Sequence, residues 1–197
     1  MNDLSAKVKR GSGMDCHWVV EEIRRITCDV FTTMLGMEPA MGEAKVERGV
    51  PGPTDGVVAL VGLAGGCVGI GGLACSGETA CRLSSRMLLT EIEAVNEEVL
   101  DVVAELTNMV IGGLKTAIEK QVGPMALSIP SVVFGRNFTT RAKGSSEWMR
   151  IPFACADGDF EVHICLRPAE GPVNRAADGR SRRLQYVTAQ GSHAEAP

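Results

Sequence analysis

The sequence is short of the groups that mark a metal or redox protein. Its seven cysteines (Cys16, Cys28, Cys67, Cys75, Cys81, Cys155, Cys165) include no C-x-x-C pair, and its three histidines (His17, His163, His193) are scattered. A zinc site needs closely paired ligands, so the finger and ribbon patterns are excluded. Odd in number and set among apolar residues, the cysteines read as small buried hydrophobes in a reducing cytoplasm. An excess of positive charge is also missing: 20 Lys and Arg stand against 24 Asp and Glu, for a net charge of −4. Phosphate-backbone binding draws its affinity from clustered cations, so nucleic acid is not an expected partner. No apolar run is long enough to span a bilayer, and the N-terminus lacks the apolar core of a signal peptide. The expected setting is the cytoplasm, without membrane insertion.

What is present suits one domain. The 197 residues are 45% hydrophobic, enough for a core. Residues 1–13 are polar and read as a loose arm, and 167–197 read as a disordered tail, leaving 14–166 as the folded unit. Within it, Trp18, Val19, Ile23, Ile26, Val30 and Met34 recur at three- and four-residue steps, predicting a helix begun by Asp15 and ended near Gly36. Two apolar runs, 57–63 and 67–75, meet at Gly65-Gly66 and predict a β-hairpin. Gly69, Gly71 and Gly72 lie in its second strand. No G-x-G-x-x-G stands in frame, so they are read as room for a close neighbour rather than as a nucleotide loop. A helix is expected after Ser76, and a long one over 95–121, ended by Gly123-Pro124. Short strands follow at 126–129 and 131–134. A second hairpin is expected from 148–155 and 160–166, turning at Asp157-Gly158, with Pro152 at an edge or bulge. Asp157 and Asp159 form a D-x-D pair, read here as turn chemistry. The fold class is α+β: an antiparallel-rich sheet with packed helices, one of them long.

The long helix has an unusual polar face. At 100° per residue, Leu100, Val103, Ala104, Thr107, Val110, Ile111, Leu114 and Ile118 share the core side. Glu97, Asp101, Glu105, Asn108, Gly112 and Glu119 share the other. Asp101, Glu105 and Asn108 are spaced by four and three, so their side chains are neighbours. Lys115 is the lone cation nearby, so i,i+4 pairing does not account for the acids. Gly112, mid-helix and outward, costs up to about 1 kcal/mol relative to alanine. It makes sense where another backbone approaches.

Asp101-x3-Glu105-x2-Asn108, followed by Pro130, resembles the signature of the CheC/CheX chemotaxis phosphatases: Asp or Ser, Glu, Asn, then Pro about 22 residues on. Here that last gap is 21 residues. Gly112, the stretch Pro130 to Gly135 and the order of elements resemble the family too. The Glu/Asn motif occurs once, which fits the single-site CheX type. The resemblance implies a CheC-like fold and a phosphatase acting on the aspartyl phosphate of CheY-type receiver domains. It implies that Asn108 holds the attacking water, that Glu105 accepts the receiver's lysine, that Asp101 and Gly112 are docking positions and that Pro130 shapes the supporting turn. It implies no cofactor of the protein's own, magnesium supplied by the phosphorylated receiver, and a homodimer. The alternative is a non-catalytic module that binds a receiver through the same face.

Overall fold

The computed structural model describes residues 15–48, 54–139 and 147–169. The arm at 1–13 and the chain from 170 onward lie outside that set.

Helix α1 spans Cys16–Leu35. The Asp15 carboxylate accepts from the His17 N–H at 2.9 Å, satisfying an otherwise orphaned donor. Gly36 closes the helix at φ 63°, left-handed backbone in which glycine carries no Cβ penalty. The buried side is Val19, Ile23, Ile26, Thr27, Phe31 and Leu35. Of the expected positions, Met34 is 37% exposed, and Val30 is half-buried against the margin of the core. Phe31 stacks on Phe160 with ring centroids 4.4 Å apart, and that contact sets which side of the last turns faces inward.

Among the described residues, eight strands form one sheet: β1 Ala40–Met41, β2 Lys45–Arg48, β3 Thr54–Gly65, β4 Cys67–Cys75, β5 Met125–Leu127, β6 Ser131–Phe138, β7 Glu147–Cys155 and β8 Gly158–Pro168. Their order is β1-β7-β8-β4-β3-β5, with β2 also on β7 and β6 also on β3. Every described pairing is antiparallel. Both predicted hairpins are present. β1 and β2 have no counterpart in the sequence reading. β6 runs on to Phe138, and Ile129 stands in a loop rather than in β5. The expected tail start at Arg167 is corrected: Arg167 and Pro168 belong to β8, paired with Val68 and Cys67.

Pro152 is not on an edge strand, but it lies beside a bulge: Met41 pairs with Phe153 and Lys45 with Arg150, a slip of one residue between β1 and β2. Its carbonyl accepts from Gly42 N–H at 2.8 Å, in the gap between β1 and β2. In a strand the N–H and C=O of one residue point the same way, so the missing donor faces an interruption in the neighbouring strand. In the β7–β8 turn, Asp157 takes a two-pronged hydrogen bond from Arg86 at 2.6 and 3.1 Å.

Two more helices pack on the sheet. α2, Gly77–Leu88, is capped by Ser76, whose hydroxyl accepts from Thr79 N–H. α3, Glu97–Val122, is capped by Asn96 and ends at Gly123. A Cβ on Gly71 of β4 would fall 2.7 Å from Ile111 Cδ1, and one on Gly72 2.4 Å from the Ala59 carbonyl oxygen. The glycines of β4 thus admit α3 on one face and a neighbouring strand beside them. A Cβ on Gly113 would meet Ile26 at 2.8 Å, so α1 lies close along one flank of α3. On the sheet's other face, Glu161 joins Arg150 at 2.6 Å and buried His163 at 2.8 Å. Among the described residues no helix is long and apolar enough to cross a membrane.

Candidate active site

α3 is pinned on its inner side by Val99, Val102, Val103, Leu106, Thr107, Val110, Ile111, Leu114, Ala117 and Ile118, all buried. Val99, Val102, Leu106 and Ala117 widen the core stripe beyond the one read from the sequence, while Leu100 and Ala104 are only half-buried. With so broad an anchor the helix cannot roll, and its outward residues are fixed in direction. Asp101 and Glu105 are exposed, and Asn108 and Gly112 are half-buried. The structure therefore keeps Asp101, Glu105, Asn108 and Gly112 on one accessible face.

Nothing described occupies these side chains. Among the described residues, Asp101, Glu105 and Asn108 make no side-chain hydrogen bond or ion pair. The nearby cation is engaged elsewhere: Lys115 Nζ lies 2.8 Å from Glu119 Oε1. The same oxygen accepts from the Met125 N–H at 2.8 Å. Glu119, placed with the site face by helical spacing, is thus a tie between the last turns of α3 and β5. Its carboxyl is held below the ordinary range, first by Lys115 and then by Met125. With Lys115 bound there, the negative field of Asp101 and Glu105 is left for an incoming cation.

Pro130 lies in the Ser128–Pro130 loop between β5 and β6. Ser128 fixes that loop to β3. Its N–H donates to the Gly62 carbonyl and its hydroxyl accepts from the Gly62 N–H, both at 2.9 Å. The hydroxyl also donates to the Ile129 carbonyl at 2.8 Å. Sequence reasoning missed Ser128, because a serine two residues before a proline gives no sign of a partner 66 positions away. Leu127, just before the loop, faces Gly112: a Cβ there would stand 3.7 Å from Leu127 Cδ2. Asn108 is one turn from Gly112 and about 140° round the axis from Gly113, hence on the flank away from α1. Asn108 and Leu127, the residue before the proline loop, therefore lie towards the same flank of α3.

The remaining nucleophiles are poorly placed. Burial pushes the Cys75 thiol up to about 12. His163 is buried on the sheet face away from α3. The accessible chemistry of α3 is two carboxylates, which attract a cation, and one amide, which both donates and accepts hydrogen bonds.

The family model for chemotaxis phosphatase CheX matches residues 57–154, a span that contains all of α3 and Pro130. This chain is CheX-like. The CheY-P phosphatase CheX of Thermotoga maritima is 27% identical over 141 residues, covering 71% of this chain and 89% of that protein. A CheC-like superfamily protein from Shewanella sp. PV-4 is similar in structure, with 27% identity, a TM-score of 0.67 and coverage of 76% of this chain and 97% of that one. A chain of the CheX–CheY–BeF3–Mg2+ complex from Borrelia burgdorferi matches with 28% identity and a TM-score of 0.64, covering 76% and 97%. The CheC-like, α+β fold expected from the sequence is the one found.

Proposed function

We propose that this protein is a phosphatase for the aspartyl phosphate of a CheY-type receiver domain in chemotaxis or related two-component signalling. The observation that carries the reading is the pair of exposed Glu105 and half-buried Asn108, aligned on a rigid helix and without a side-chain partner among the described residues. The Thermotoga relative is a CheY-P phosphatase, and the Borrelia complex joins CheX to CheY.

In this reading the receiver docks on the outward face of α3. Glu105 accepts the receiver's active-site lysine, a charge-assisted contact that sets the register. Asn108, one turn on, enters the phosphorylation site and holds a water in line with the P–O bond to the aspartate. The water oxygen forms a new bond to phosphorus as that P–O bond breaks. The aspartyl carboxylate leaves with the electron pair, and the water's proton goes to the released phosphate. A neutral amide suits the task because it does not repel the phosphoryl anion as a carboxylate would. Positioning of this kind supplies a gain of about 100-fold or more, roughly 3 kcal/mol. Asp101 adds to the docking field, Gly112 gives the receiver clearance, and Pro130 shapes the loop beside Asn108.

Magnesium belongs, in this account, to the receiver. Among the described residues no group of three His, Cys, Asp or Glu side chains is placed to hold a metal ion. The account places the protein in the cytoplasm with its receiver and as a homodimer, for which the outer edge of β6 offers a pairing surface.

Phosphate release from a phosphorylated receiver tests the function. Acceleration by catalytic amounts of the protein is the expected result. Binding without acceleration would replace the enzyme by a receiver-binding module, and no binding to any receiver of the same cell would remove both.

A further inference from the structure

The outward face of α3 is mainly polar, with Ala104 and Met109 half-buried at its margins, and exposed charge pairs contribute little to affinity. Specific complexes bury about 800 Å² on each partner and draw most of their energy from a few apolar anchors. A larger apolar contact is available beside the helix. Ile129 stands there. It is 86% exposed, in the loop whose preceding residue but one, Leu127, faces Gly112. Two residues of extended chain span about 7 Å, well inside the footprint of a domain centred on Asn108.

Two features separate Ile129 from an ordinary surface hydrophobe. Its backbone is held: Ser128 makes three hydrogen bonds to Gly62 and Ile129, and Pro130 fixes the next φ. An anchor already held in place loses little conformational freedom on docking. Asn108 is also only half exposed and lies on the flank away from α1. A partner that reaches the amide comes down on that flank, which Leu127 and the loop after it border.

We propose that Ile129 is an apolar docking contact for the phosphorylated receiver, setting how tightly it is held against the Asn108 face. The proposal rests on the phosphatase reading above. It makes Ile129 a positioning residue whose loss weakens binding and leaves the chemical step alone.

The test is steady-state phosphate release against receiver concentration for wild type, Ile129→Asp and Ile129→Ala. Thermal melting and light scattering are measured on the same samples. Ile129→Asp is expected to raise KM by about tenfold or more, with kcat within about twofold. Ile129→Ala gives a smaller rise of the same kind and serves if the aspartate variant folds poorly. An unchanged KM in a folded, active Ile129→Asp protein overturns the proposal and leaves the phosphatase reading intact. A loss of activity that accompanies a change from dimer to monomer also overturns it, assigning the residue to a second copy instead. A wild type that never accelerates release defeats the phosphatase reading itself.

Discussion

Gly112 and Leu127 face one another with room to spare: a Cβ at position 112 would stand 3.7 Å from Leu127 Cδ2, an ordinary van der Waals contact. The protein's own packing therefore does not demand glycine there. Replacing it with alanine in a helix interior is worth up to about 1 kcal/mol. Gly112→Ala should melt about 2–4 °C higher than wild type while losing phosphatase activity, because the added methyl meets the receiver. Calorimetry and phosphate release on one preparation check both halves. A stabilised variant with full activity would remove Gly112 from the docking face.

Gly71 gives the opposite result. A Cβ there would lie 2.7, 2.9 and 3.0 Å from three carbons of Ile111, in the packed seam between β4 and α3. Gly71→Ala should destabilise by about 1–3 kcal/mol, read as a lower denaturant midpoint.

Glu105→Gln keeps the shape of the side chain and removes its charge. Because Lys115 is committed to Glu119, no cation among the described residues already neutralises Glu105. The substitution should raise KM and flatten the dependence of docking on ionic strength, since salt screens an exposed charge pair. Titrating activity against salt for both proteins checks it.

Acid stability should report the network on the far sheet face. The Glu161 carboxyl is pulled down to about 2, first by its hydrogen bond with His163 and then by Arg150, against the opposing effect of burial. A group whose folded pKa is depressed contributes stability that is complete above its ordinary value of 4.5 and is lost as pH falls towards 2. Between those limits the melting temperature of wild type should fall more steeply than that of Glu161→Gln. Parallel curves would mean that the carboxylate contributes nothing.

The parts of the fold legible in the sequence are those with long periodic signals. α3 carries one over 26 residues, and the β3–β4 hairpin is marked by Gly65-Gly66. The core side of α1 was displaced by one position in its later turns because Phe31 finds Phe160, a contact local periodicity does not carry. β1 and β2 have two and four residues, too few for any alternation to show. At the site, the spacing of Asp101, Glu105 and Asn108 was readable because a helix converts spacing into direction. The tie of Glu119 to Met125 and the grip of Ser128 on Gly62 were not, since both depend on how α3 and the loop meet the sheet.

The most direct measurement compares wild type with Asn108→Ala on one receiver, determining both turnover of its phosphorylated form and affinity for its BeF3-bound form. The account predicts a fall in kcat of about 100-fold or more with affinity within about threefold of wild type. Undiminished turnover by the alanine variant would contradict it.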